Sequence, residues 1–124
     1  MNQVNLAGRL TADVDVKEYG TKKDPKKMAI FTLAVRDGID AEGNKKTQFI
    51  RCVMYGNNGV NALVEFTKKG DPLAVSGKIQ NGSYEDKEGN TKYTTDVIVN
   101  DFDFMASSKA SEEKPANNSK RYHR

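Results

Sequence analysis

The chain has no tryptophan, one cysteine, one histidine and three prolines in 124 residues. Each scarcity removes a class of explanation. Cys52 has no partner for an internal disulfide, and one thiol with one imidazole, His123, cannot assemble a zinc centre. A catalytic thiol would need a basic partner, and the sole histidine stands next to the chain end. No stretch approaches the roughly 18 consecutive apolar residues of a membrane span. Met1-Asn2-Gln3 lacks the basic and apolar regions of a signal peptide. The chain is therefore expected to act in the cytoplasm, away from membranes, with Cys52 as a small core residue.

A strong positive field is missing too. The formal net charge is +3, and the segment from Ala106 onward accounts for all of it through Lys109, Lys114, Lys120, Arg121 and Arg124 against Glu112 and Glu113. Residues 1–105 are close to neutral, so any polyanion must be met by local placement of charge. From Ala106 the composition turns to Ser, Lys, Glu, Asn and Ala without apolar periodicity. Such a segment buries too little surface to fold, and a disordered basic tail is expected over residues 106–124.

What is present is clearest in Phe49-Ile50-Arg51-Cys52-Val53-Met54-Tyr55-Gly56. As a strand it alternates between two faces. Ile50, Cys52 and Met54 make an apolar face suited to a core. Phe49, Arg51, Val53 and Tyr55 make the other, where a guanidinium between two aromatics would be costly to bury unpaired. Exposed, the same row suits a single-stranded nucleic acid, whose bases stack on rings while its phosphates meet positive charge.

Other segments supply the frame. Val4 to Leu10 alternates with period two, and Gly8 on its inward face predicts a bend or a close backbone approach. A polar stretch containing Gly20, Asp24 and Pro25 leads to a strand over Met28 to Arg36, with Ala29, Phe31, Leu33 and Val35 inward. Asp37 to Lys46 reads as a hairpin loop. After the Phe49 strand the spacing of Val60, Leu63, Val64 and Phe66 is helical, and Lys68-Lys69-Gly70 stops the helix. Strand pattern resumes at Pro72, with Leu73, Val75 and Ile79 on one face. A second loop, Glu85 to Thr91, precedes a last strand from Lys92 to about Met105. Five strands with one helix between the third and fourth predict an all-β OB-fold, a Greek-key barrel, over residues 1–105.

No catalytic constellation emerges. The acidic loops after Asp37 and Asp86 fail the spacing of a calcium loop and read as solvated turns. The carboxylates are scattered, with none of the clustering a nuclease needs. No catalytic residue, cofactor or metal is expected. Phe31, Phe66, Phe102 and Phe104 are assigned to core or subunit contact. The candidate exposed rings are Phe49, Tyr55, Tyr84 and Tyr93, and the basic candidates include Lys17, Arg51, Lys69 and Lys92.

Several segments together resemble the bacterial-type single-stranded DNA-binding proteins. They are Val4-Asn5-Leu6-Ala7-Gly8-Arg9-Leu10-Thr11, Phe31-Thr32-Leu33-Ala34-Val35, the Phe49 to Gly56 strand, Phe66-Thr67-Lys68-Lys69-Gly70-Asp71-Pro72-Leu73, Val75-Ser76-Gly77-Lys78-Ile79, Ser83-Tyr84-Glu85-Asp86 and Lys92-Tyr93-Thr94-Thr95-Asp96-Val97. The resemblance implies a homotetramer that binds single-stranded DNA without sequence preference in replication, recombination or repair. Phe49 and Tyr84 then match stacking aromatics and Tyr55 one beside them, while Arg51, Lys69, Lys17 and Lys92 match phosphate-neutralising positions. Ile39 replaces a further stacking aromatic of many members, and Asn81-Gly82-Ser83 replaces a basic cluster. Both changes imply weaker binding per subunit. The basic end, Ser119-Lys120-Arg121-Tyr122-His123-Arg124, differs from the acidic tip by which cellular members recruit replication and repair proteins. Such partners would have to be met by other means, and a phage or mobile-element origin fits the difference. Two rivals carry less support: a primosome-accessory or protein-interaction module on the same fold, and an OB-fold nuclease.

Overall fold

The computed structural model describes residues 1–105, so the expected basic tail over 106–124 lies outside the described residues. In chain order the elements are β1 (Val4–Leu10), β2 (Asp15–Gly20), β3 (Pro25–Ile39), β4 (Lys45–Tyr55), α1 (Asn57–Phe66), β5 (Pro72–Glu85) and β6 (Thr91–Phe104). The strands form one sheet in the order β1-β5-β6-β4-β3-β2, closed into a barrel where Arg9 and Leu10 of β1 pair with Ala34 and Leu33 of β3. All pairings are antiparallel except β4 with β6. This is the expected OB-fold barrel, with one difference. The polar stretch after Leu10 contains a strand, β2, which follows β1 along the same edge of β3. Its alternation is weak, since of Asp15–Gly20 only Val16 turns inward. Counting β1 and β2 as one interrupted strand restores the five-stranded barrel.

The core is built from alternate positions of each strand: Ala29, Phe31 and Leu33 on β3, Cys52 and Met54 on β4, Leu73 and Val75 on β5, and Val97 and Val99 on β6. Helix α1 adds Val60 and Leu63, both fully buried. Val64 and Phe66, which share the predicted helical stripe, are half-exposed. The helix is seated by side chains that imitate backbone: the Lys27 N–H donates to Asn57 Oδ1, and Asn57 Nδ2 donates to the Pro25 carbonyl. Close backbone approach at Gly8 is as expected, for a Cβ there would lie 2.5 Å from the Ala34 carbonyl oxygen, where β1 crosses onto β3.

Gly77 marks a register shift between β5 and β6. Ser76 pairs with Asp101 but Gly77 pairs with Val99, leaving Asn100 as the extra residue of a bulge. The bulge reverses the parity of β6, which is why both Val99 and Phe102 point inward. A Cβ at Gly77 would collide with the Ile98 carbonyl.

Two expectations about faces need correction. Val53, on the outward face of β4, is only 4% exposed. Its cross-strand neighbours are Ile30 on β3 and Ile98 on β6, so an apolar row spans three strands in the middle of the outer face. Ile79 has the inward parity expected of it but is 46% exposed, because β5 has by then run past β1, whose pairing with it ends at Val4 and Gly77.

Both acidic loops are tight hairpin turns built alike, from Asp40-Ala41-Glu42-Gly43-Asn44 and Asp86-Lys87-Glu88-Gly89-Asn90. Asp40 Oδ1 accepts from the N–H groups of Glu42 and Asn44, and Asp86 Oδ1 from those of Glu88 and Asn90, each at 2.9 Å. These carboxylates are engaged in ordering their own turns. The turns are shorter than the sequence suggested, since β3 continues to Ile39 and β4 begins at Lys45.

Candidate nucleic-acid interface

Register determines which side chains share the outer face, because residues directly opposite each other point to the same side. Tyr55 pairs with Met28 and Met28 with Lys17; Lys26 of the same β3 face pairs with Tyr19. Phe49 pairs with Ala34 and Arg51 with Thr32. Across the parallel pair Val53 meets Ile98, and along β6 the same face carries Asp96, Thr94 and Lys92. Lys92 in turn pairs with Tyr84 on β5. Lys17, Phe49, Arg51, Tyr55, Tyr84 and Lys92, six of the predicted site residues, thus occupy one continuous face running over β2, β3, β4, β6 and β5.

The rings on this face are open to solvent: Phe49 is 67% exposed, Tyr84 57% and Tyr55 48%. Phe49 stands beside Ala34, whose small side chain leaves the ring uncovered. Exposed aromatic area of this size is unfavourable unless something covers it part of the time, and ring faces are what unstacked bases need.

Sequence reasoning missed Tyr19, Lys26 and Met28. Tyr19 packs edge-on against Tyr55, with centroids 6.2 Å apart and ring planes at 87°. The signal available was the alternation of Asp15, Lys17 and Tyr19, too polar to read as a strand until its pairing with β3 is seen. At this end the β2–β3 turn adds Lys22 and Lys23, and the turn is tied by the Asp24 N–H donating to Thr21 Oγ1.

Tyr93 and Lys69 do not join the group. Tyr93 pairs with Ser83, one step out of phase with Tyr84 and Lys92, and so emerges on the opposite side of the β5–β6 ribbon, 81% exposed. Lys69 lies on the loop after α1, strapped to the β1–β2 junction: its N–H donates to Asp13 Oδ1 and the Gly70 N–H donates to the Leu10 carbonyl. Ile39, at the end of β3, is exposed as an isolated apolar side chain.

Charges on the face are paired. Lys17 lies 3.7 Å from Asp15 and Lys92 4.0 Å from Asp86, contacts loose and wet enough to be exchanged at small cost. Arg51 is held more firmly, its Nη1 donating to Asp96 Oδ2 at 2.9 Å. The sequence had left that guanidinium without a partner. Beneath it, burial pushes the Cys52 thiol up to about 12, with a smaller contribution from the Asp96 carboxylate. No helix among the described residues is long and apolar enough to cross a membrane.

The chain is similar to known proteins over most of its length. A model of the single-strand binding protein family matches residues 1–105. The single-stranded DNA-binding protein of Clostridium perfringens is 40% identical over 107 residues, covering 86% of this chain and 67% of that protein. The single-stranded DNA-binding protein of Enterococcus faecalis is 34% identical over 115 residues, which is 92% of this chain and 59% of the relative. Among solved structures, a Plasmodium falciparum SSB complex with ssDNA superposes with a TM-score of 0.74 at 26% identity, over 85% of this chain and 95% of that one. With the barrel, its closure and the family match in agreement over the same residues, the chain belongs to the single-strand binding protein family.

Proposed function

We propose that this protein binds single-stranded DNA without sequence preference and shields it during replication, recombination or repair. The observation that carries the reading is the continuous outer face on which Phe49, Tyr55 and Tyr84 stand exposed among Lys17, Arg51 and Lys92. Bases stacked on these rings gain about 1–3 kcal/mol each, and stacking tolerates every base. Duplex DNA hides its bases and cannot use the rings, so the face selects single strands. The role is binding without catalysis, in the cytoplasm.

The working unit proposed is a homotetramer. Support comes from the second edge of β1, where Val4 to Gly8 have a strand partner only on the β5 side among the described residues. An edge of this kind is suited to pairing with another copy. Tyr93, projecting away from the other rings, belongs to a separate surface that DNA reaches only by passing around the ribbon.

Competition between a homopyrimidine oligonucleotide and a duplex of equal length tests the reading. Preference for the single strand by two orders of magnitude or more supports it. Comparable affinity for both would favour the interaction module on the same fold.

A further inference from the structure

Resting on the single-strand binding reading, we propose that Arg51 serves the bases of the bound strand rather than its phosphates, and that Asp96 is the positioning residue that makes it do so. The pair is a charge-assisted hydrogen bond of 2.9 Å between neighbouring parallel strands, both residues on the outer face. It draws the guanidinium sideways toward β6. The Asp96 side chain is 17% exposed, against 47% for Arg51. A phosphate that captured Arg51 would have to strip it from Asp96 and leave a mostly covered carboxylate without its cation. An approaching phosphate meets a neutral pair, with a carboxylate oxygen in the way.

A guanidinium neutralised on one edge keeps its planar face and its remaining N–H groups. Those features suit stacking on a base and donation to its edge. Arg51 lies on β4 in line with Phe49 and Tyr55, where bases and not backbone would rest. The lysines differ in kind. Lys17 and Lys92 have side chains 59% and 54% exposed and partners at 3.7 and 4.0 Å, so exchange for a phosphate costs them little. The face therefore divides its work: a base-reading floor of Phe49, Arg51 and Tyr55, and a phosphate-neutralising rim of lysines.

The dependence of affinity on salt separates the two roles, because each neutralised phosphate contributes about 0.7 to the slope of log K against log salt for a single strand. The experiment measures that slope with a thymidine oligonucleotide for the full chain and its variants. Arg51→Met should weaken binding by roughly ten-fold at every salt concentration while leaving the slope unchanged. Asp96→Asn should steepen the slope by about 0.7, since the freed guanidinium then takes a phosphate, and Asp96→Glu should return it to the parent value. Lys92→Met should lower the slope by about 0.7. On an abasic oligomer of the same length the penalty of Arg51→Met should vanish. Arg51→Gln replaces Arg51→Met if the methionine variant changes the circular dichroism spectrum of the parent chain. A slope that falls by about 0.7 in the Arg51 variant, or one that Asp96→Asn leaves unchanged, overturns the proposal. Absence of single-strand binding by the parent chain would overturn the functional reading instead.

Discussion

Tyr19 and Tyr55 meet edge to face across the width of β3, their ring centroids 6.2 Å apart. One stands on β2 and the other on β4, with Lys26 and Met28 of β3 between them. The contact joins the weakly patterned β2 to β4, the strand that carries the proposed floor. It also extends the aromatic row beyond the residues that sequence reasoning supplied.

Removing either ring should therefore be felt by the other. A double-mutant cycle of Tyr19→Ala and Tyr55→Ala, followed by urea unfolding, should give a coupling of about 0.5 kcal/mol, the low end for aromatic pairs because both rings are half-exposed. Tyr19→Ala should also weaken oligonucleotide binding several-fold. Strict additivity in both measurements would mean that the two rings act separately.

Tyr84 and Tyr93 share one ribbon but emerge on opposite sides of it. Tyr84→Ala should cost about 1–3 kcal/mol of binding free energy. Tyr93→Ala should leave affinity for a short oligonucleotide within two-fold, although Tyr93 is the more exposed ring. Isothermal titration of the two variants side by side gives the comparison.

Gly77 admits no side chain, since a Cβ would run into the Ile98 carbonyl at the β5–β6 bulge. Gly77→Ala should destabilise the barrel by about 1–3 kcal/mol, or more where the bulge cannot shift. The readout is the urea midpoint. Gly43→Ala makes a useful contrast, because that glycine has open space around it but a positive φ of 86°, so its cost is conformational alone.

Cys52 gives a prediction in pH. Its thiol is raised in the folded state to about 12 by burial first and by the Asp96 carboxylate second. The unfolded chain, with a thiol near 9, ionises earlier, so the stabilisation is fully present below about pH 9 and is lost as pH rises toward 12. Cys52→Ala should start less stable at neutral pH and decline less steeply across that window. The native thiol should also resist iodoacetamide at pH 8 until denaturant is added.

The sequence revealed the barrel readily where apolar residues alternate strictly, as in Ala29-Ile30-Phe31-Thr32-Leu33, and where a glycine had a steric reason, as at Gly8. It revealed less wherever partner strands decide. Asp15–Gly20 carries a single inward side chain, and its strand character comes from pairing with β3. Val53 looked outward and open, but Ile30 and Ile98 on neighbouring strands cover it. Arg51 looked unpaired because Asp96 is forty-five positions away along the chain. Of the site, Phe49, Tyr55, Tyr84, Lys17 and Lys92 fall on one face, whereas Tyr93 and Lys69 fall elsewhere. Parity within a strand is local information; register between strands is not.

The face itself is open to one decisive measurement. With no tryptophan in the chain, intrinsic fluorescence comes from its five tyrosines, Tyr19, Tyr55 and Tyr84 of the face among them, and can be followed during titration with a thymidine oligonucleotide. The parent chain should show saturable quenching, and Phe49→Ala combined with Tyr84→Ala should weaken affinity by about 2–6 kcal/mol with the fold intact. Unchanged affinity in that double variant would contradict the proposed interface.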